Sequence, residues 1–269
     1  MITVARAQVA AVWAAKSVGK LLRHNLRAEK RTHAVFSHDI KLKLDLESQA
    51  MIEKSLGRAF PGIAFLGEEG TIGDLQAEYR WVVDPIDGTV NFAYGIPHAC
   101  IAIALQRRAK KGSKYAYEDG YETVMGVVYE PFCDELWTAI RGGRTLLNGK
   151  PVRVTTREEM SDTIISTGSP NAQARQKKYM QRLMYLVPRV RKLRIMGSAT
   201  LSLCYVASGR FDGYVEGGLN LWDIAAGGIL VECAGGVYAQ VKEKDATTYY
   251  VVASNAKLQR ALHVVKAKG

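Results

Sequence analysis

Apolar positions recur along the chain with two alternating periods. Ala5, Val9, Val12, Ala15, Gly19, Leu22 and Leu26 step by three and four, which predicts a long amphipathic first helix with that stripe turned to the core. Ile52, Leu56 and Phe60 carry a second helix that ends before Pro61 and Gly62. β-type runs follow at 63–66, 81–84, 100–105, 124–129 and 136–140, with a turn over 67–70. Beyond Arg141-Gly142-Gly143 the alternation resumes, with strands near 163–167, 193–196, 214–216 and 249–253 and helices over 172–186, 198–208, 222–234 and 256–265. The class this predicts is mixed α and β. It divides into an α+β half over 1–145 and an α/β half over 146–269, without internal repeats.

Composition narrows the picture. With 269 residues, 48% of them hydrophobic, the chain can bury a full core and is not a disordered segment. It has no apolar run of membrane-spanning length and no signal-peptide core at its N-terminus, so a cytoplasmic protein without membrane contact is expected. Cys100, Cys133, Cys204 and Cys233 are widely separated and lack CxxC spacing, which reads as reduced core thiols. The net charge of +11 fits nucleic acid, anionic small molecules or solubility alone. Its clusters over 107–114, 175–182 and 189–194 read first as solvated surface, and Tyr115, Tyr117 and Tyr121 are the aromatics a nucleic-acid face would need beside the first of them.

The candidate chemistry concentrates in residues 81–92, WVVDPIDGTVNF. The apolar run ends at Asp84, proline is expected to stop the strand, and Asp87 follows before a Gly88-Thr89 turn. Two carboxylates about 4 Å apart repel by roughly 4 kcal/mol at an effective dielectric of 20. Folding alone does not require that cost, and a divalent cation with a taste for hard oxygen donors would turn repulsion into ligation. Glu68 and Glu69, between Gly67 and Gly70, present further carboxylates at a strand end. Asp223 opens a helix of small and apolar residues, where an acid also fits as a first-turn or capping group. The five histidines lie outside these motifs, and there is no DxDx[TV], GxxxxGK[ST] or strand-linked GxGxxG. A phosphoenzyme, a kinase or a dehydrogenase therefore lacks support.

In their order and spacing, GEE at 67–69, DPIDGT at 84–89 and WDIAAGG at 222–228 resemble the three signatures of the inositol monophosphatase family of lithium-sensitive, magnesium-dependent phosphatases. The resemblance runs from the first helix to Ala234-Gly235-Gly236. It implies the layered αβαβα sandwich of the inositol monophosphatase and fructose-1,6-bisphosphatase superfamily, and a homodimer. It further implies that Glu68, Asp84, the Ile86 carbonyl, Asp87 and Asp223 hold Mg²⁺, with Asp84 bridging two ions. The four side chains sum to −4, which two Mg²⁺ neutralise, and the −2 of a phosphate dianion is a reason to expect a third, weaker ion arriving with substrate. The chemistry implied is hydrolysis of a phosphate monoester by metal-activated water, with inositol 1-phosphate the first choice of substrate. Glu68, Thr89 and Asp45 form its catalytic group, Thr89 and Asp45 pairing to orient the water. Gly88 and Thr89 offer N–H groups to phosphate, while Gly197, Ala199, Glu216 and Ser169 face the alcohol. The chain departs from the family pattern DxVTxxD at Lys41 and Leu42, between Asp39 and Asp45, and has Ala34 where some relatives carry lysine. Alternative substrates are 3′-phosphoadenosine 5′-phosphate, fructose 1,6-bisphosphate and histidinol phosphate, a bisphosphate drawing on cations from Arg189 to Arg194. A relative with an added RNA- or transcription-related role is the non-enzymatic alternative.

Overall fold

The computed structural model describes residues 2–28, 32–36, 39–169, 176–243 and 247–267. The elements run α1 Val4–Asn25, β1 Thr32–Phe36, β2 Asp39–Leu42, α2 Lys43–Ala59, β3 Ala64–Gly67, β4 Gly70–Ile72, β5 Tyr79–Asp87, α3 Thr89–Ala93, β6 Cys100–Arg108, β7 Tyr121–Glu130 and β8 Glu135–Ile140. They continue with β9 Leu146–Leu147, β10 Lys150–Pro151, β11 Ile164–Thr167, α4 Gln176–Leu186, β12 Lys192–Ile195, α5 Ala199–Ala207, β13 Gly213–Leu219, α6 Leu221–Cys233, β14 Val237–Lys242, β15 Tyr249–Ser254 and α7 Ala256–Ala267.

Two large sheets organise the chain. One has eight strands in the order β10-β9-β8-β7-β6-β5-β3-β4, the other five in the order β12-β11-β13-β15-β14, and β1 and β2 form a separate hairpin. Helices α1 and α2 cover the outer face of the eight-stranded sheet, α5 and α6 lie between the sheets, and α7 packs on β13 and β15 beside α4. This is the expected mixed α and β sandwich of five layers. The short β9 and β10 belong to the first sheet although they lie beyond residue 145.

Alternation along β6 shows how the sequence builds the layers. Ile101, Ile103 and Leu105 join the core under α1 and α2, while Cys100, Ala102 and Ala104 join the core against α5 and α6. Both faces are buried, each large side chain contributing about 1.5–3 kcal/mol of transfer free energy, and the small side chains let the inner helix layer approach.

The first helix forms where periodicity placed it, and of the expected stripe Ala15, Gly19 and Leu22 are buried while Val12 and Leu26 pack against the core, but its first turns face otherwise. Ala7, Ala11, Ala14, Ala15, Val18, Gly19 and Leu22 are buried, whereas Ala5 is exposed and Val9 and Trp13 are 71% and 69% exposed. Close packing of α1 against α2 and the sheet selects alanine over larger groups, so hydrophobicity alone misplaced Ala5 and Val9.

Proline does not end β5 either. The strand runs through Pro85 to Asp87, and its pairing with β6 shifts between Asp84↔Ala102 and Asp87↔Cys100. One extra residue is thus bulged out, a position that tolerates proline's missing donor and re-aims the neighbouring side chains. Cys100 and Cys204 are buried thiols as expected, but Cys133 is exposed. Among the described residues no helix is long and apolar enough to cross a membrane.

Candidate active site

The bulged end of β5, the β3–β4 turn, the start of α3 and the first turns of α5 and α6 converge on a cavity of about 300 Å³. Glu68, Asp84, Ile86, Asp87, Gly88, Thr89, Ser169, Gly197, Ala199, Glu216 and Asp223 all line it. Asp45 is not among its lining groups, and neither is Glu69, which lines a separate cavity with Gln49 and Glu53.

Local hydrogen bonds hold Asp84, Asp87, Asp223 and Glu216. Asp84 Oδ1 accepts from the Ile86 N–H at 3.0 Å, across the bulge. Asp87 Oδ2 accepts from Ser198 Oγ at 2.5 Å and from the Thr200 N–H at 2.7 Å. Asp223 occupies the first turn of α6 and accepts from the Asn220 N–H at 2.7 Å, so it caps its own helix while facing the cavity. Glu216 Oε2 accepts from Tyr214 Oη at 2.5 Å. Its carboxylate lies where a side chain on residue 168 would stand: a Cβ built on Gly168 would meet Glu216 Oε1 at 1.9 Å. Gly88 has φ +97°, and a Cβ there would approach the His98 carbonyl oxygen at 2.8 Å, so glycine is required twice over.

Burial pushes the Asp84 carboxyl well above its ordinary range, and the charges of Glu68, Asp87, Asp223 and Asp45 push it further. Asp223 is raised by burial and then by Asp87. Asp87 is raised by burial against the opposing pull of the Ser198 hydroxyl. Burial lifts Glu216 to about 7, with the Tyr214 hydroxyl acting in the other direction.

A cation fits this donor set by chemistry. The groups are carboxylates and a carbonyl, all hard oxygen, and burial makes the charges of Asp84, Asp87 and Asp223 costly, with neighbouring acids adding to the cost at Asp84 and Asp223. Among the described residues no group of three or more His, Cys, Asp or Glu side chains stands as a ready-made cage. The oxygens named above are committed instead to Ile86, Ser198, Thr200 and Asn220.

These raised acids set a sign for stability. A carboxyl that holds its proton more tightly folded than unfolded contributes stability below its unfolded value, 4.5 for Glu216, and loses it as pH rises through about 7. The metal-free protein is therefore expected to melt at progressively lower temperature from about pH 5 to about pH 8, with added Mg²⁺ restoring more at the alkaline end. Differential scanning calorimetry checks this, and Glu216→Gln should flatten the slope. A melting temperature that climbs over the same interval would contradict the crowding.

The pairing expected between Thr89 and Asp45 is not formed. Thr89 Oγ1 donates to the Ile86 carbonyl at 2.8 Å, and Asp45 Oδ2 accepts from the Leu42 N–H at 2.6 Å within the first turn of α2. Both are short-range bonds of the kind Thr and Asp make at helix starts. Asp45 is nevertheless buried and close enough for its charge to act on Asp84. Ala34 lies in β1 and Lys41 in β2.

Other expectations change with the structure. Arg189 packs over Tyr185, Arg191 pairs with Asp162 at 2.5 Å, and no cation from Arg189 to Arg194 lines the cavity. Lys178 and Arg182 of α4 instead line a small adjoining cavity that shares Glu216. In the first basic cluster, Arg107 pairs with Glu122 at 2.7 Å, and Tyr117 and Tyr121 are buried rather than offered as stacking platforms. Arg175 lies outside the described residues.

Sequence reasoning missed Ser198 and Asn91. Asn91 Nδ2 donates to the carbonyls of His98 at 3.0 Å and Met196 at 2.8 Å, tying α3 to the turn before α5. The available signal was a polar residue inside each glycine-bearing motif.

Over residues 4–268 the chain matches the model of the inositol monophosphatase family. It is 40% identical over 231 residues to an inositol-1-monophosphatase of Rhizobium meliloti, covering 84% of this chain and 82% of the relative. It is 36% identical over 267 residues to the Nus factor SuhB of Xylella fastidiosa, covering 94% and 92%. The crystal structure of the extragenic suppressor protein suhB from Bartonella henselae superposes with a TM-score of 0.85 at 32% identity, covering 97% of this chain and 98% of that one.

Proposed function

The chain belongs to the inositol monophosphatase family, and we propose on that premise that it is a Mg²⁺-dependent phosphatase of small polyol phosphates, with inositol 1-phosphate preferred. The observation that carries this reading is the convergence of Glu68, Asp84, Asp87 and Asp223 on one cavity with Gly88 and Glu216. Glu68, Asp84, Asp87, Asp223 and the Ile86 carbonyl would hold two Mg²⁺, and a third on substrate binding. Bound there, the ions supply charge neutralisation and polarise water and phosphate oxygens.

The chain's own groups do the rest. The Gly88 and Thr89 N–H groups face the phosphate, with no side chain at Gly88 to obstruct it. Thr89 and Asp45 accept and hold the proton of the attacking water once the Thr89 hydroxyl exchanges Ile86 for Asp45. Glu216, Gly197, Ala199 and Ser169 receive the alcohol, and Glu216 accepts or donates to its hydroxyls according to protonation. A cytoplasmic homodimer that is sensitive to lithium completes the proposal.

Steady-state turnover of inositol 1-phosphate, 3′-phosphoadenosine 5′-phosphate, fructose 1,6-bisphosphate and histidinol phosphate tests the substrate. Inositol 1-phosphate is expected to lead in kcat/KM, and chelation with EDTA to abolish turnover until Mg²⁺ is restored. Preference for another substrate by more than about a hundredfold, some 2.7 kcal/mol of transition-state stabilisation, would overturn the choice of alcohol.

The similarity to a Nus factor favours a second reading, an added transcription-related role. The net charge of +11 supplies the electrostatics for it. RNA binding that weakens steeply with salt is its expected signature, and binding indifferent to salt would remove the electrostatic basis.

A further inference from the structure

We propose that the first turn of α5, through Ser198 and Thr200, fixes the spacing between Asp87 and Asp223 and thereby the affinity of the site for its cation. The inference rests on the metal-dependent reading above and adds two positioning residues to it. Asp87 ends a strand of the eight-stranded sheet, whereas Asp223 begins a helix of the layer behind it. Nothing in either element alone determines how far apart they stand, and α5 touches both.

Ser198 Oγ donates to Asp87 Oδ2 at 2.5 Å, the Thr200 N–H donates to the same oxygen at 2.7 Å, and Cys100 Sγ lies 3.8 Å from it. These three contacts meet at Oδ2, and the Thr200 hydroxyl and the Ala199 N–H also favour the charged carboxylate, so the start of α5 surrounds Asp87. Thr200 Oγ1 in turn donates to the Asp223 main-chain carbonyl at 2.8 Å. A single residue therefore grips both acids, one through its backbone and one through its side chain. The turn is itself held, because Ser202 Oγ donates to the Ser198 carbonyl at 2.8 Å and stands 3.1 Å from Ser166 Oγ on β11.

Ser198, Thr200 and Ser202 are each at most 3% exposed in a helix otherwise made of apolar residues. Buried hydroxyls are costly unless bonded, and two of these three spend their bonds on acids of the site. Groups that orient metal ligands from behind typically change metal affinity by about 10- to 100-fold when removed.

A merely structural role is the alternative, since Ser198 also caps α5 by accepting from the Leu201 N–H at 3.2 Å. Titration of the metal-free full-length protein with Mn²⁺, followed by loss of the free-ion electron paramagnetic resonance signal, separates the two. Ser198→Ala and Thr200→Val are each expected to weaken Mn²⁺ binding by about tenfold or more. Ser198→Thr and Thr200→Ser, which keep the hydroxyls, should bind like the parent. Folded Ser198→Ala and Thr200→Val proteins that bind Mn²⁺ within about twofold of the parent, with only the melting temperature lowered as loss of a cap requires, would overturn the assignment alone. A parent protein that shows no saturable Mn²⁺ binding would overturn the metal-dependent reading together with it.

Discussion

Asp87→Asn should abolish turnover while leaving the fold intact. Asparagine has nearly the shape of aspartate, and its amide oxygen can still accept from Ser198 Oγ and the Thr200 N–H, so the contacts at 2.5 and 2.7 Å that anchor the side chain survive. The NH₂ group is then what faces the cavity, and an amide nitrogen that carries protons offers a cation no lone pair. One negative charge leaves a cluster in which burial and neighbouring acids already raise Asp84 and Asp223. The remaining acids are relieved, and the metal-free variant is expected to melt above the parent at about pH 8, where the raised carboxyls cost most. Turnover at saturating substrate and Mg²⁺ should fall by at least about a thousandfold, some 4 kcal/mol in activation free energy. Loss of activity together with a gain in metal-free stability is the joint result that marks a ligand acid, because damage to the fold would lower both. Turnover close to that of the parent would remove Asp87 from the site.

Much of this site was legible because its chemistry is local. Asp84, Pro85, Asp87 and Gly88 lie within five residues, so a β-run ending in two acids marks a candidate cation corner before the fold is known. Geometry set by distant packing was harder to read. The bulge at Pro85 depends on a register with β6 that the strand itself does not encode, so the strand looked as if it should end where it merely bends. The buried face of α1 is chosen by how closely α2 and the sheet approach, which favours the alanines at 7, 11, 14 and 15 over the larger Val9 and Trp13. Ser198 is invisible for the same reason. Its partner, Asp87, ends a strand of the eight-stranded sheet, and only the meeting of β5 with α5 gives the hydroxyl its purpose. The β1–β2 hairpin and β14 also escaped the periodicity, the first because Asp39–Leu42 alternates over only four residues, the second because its side chains are only partly buried.

Thr89→Ala distinguishes two uses of one hydroxyl. As it stands, Thr89 Oγ1 donates to the Ile86 carbonyl at 2.8 Å, which steadies a group proposed to hold the cation. If its catalytic use is instead to pass the water's proton toward Asp45, the bond to Ile86 is a resting position that the hydroxyl leaves during turnover. The two uses separate in what is lost. Removing a proton-transfer partner costs about 10²- to 10⁴-fold in kcat and leaves Mn²⁺ affinity in the metal-free protein unchanged. Removing a support for the Ile86 carbonyl weakens metal binding, and saturating Mg²⁺ then recovers most of the rate. The expected result for Thr89→Ala is the first pattern, with Thr89→Ser restoring most of kcat because it keeps the hydroxyl. Asp45→Asn should show a loss of similar size, and Thr89→Ala with Asp45→Asn combined should lose little more than either alone, since two members of one proton path fail together. Additive losses in the double variant would dissolve the pair and leave Thr89 as a structural support of the bulge.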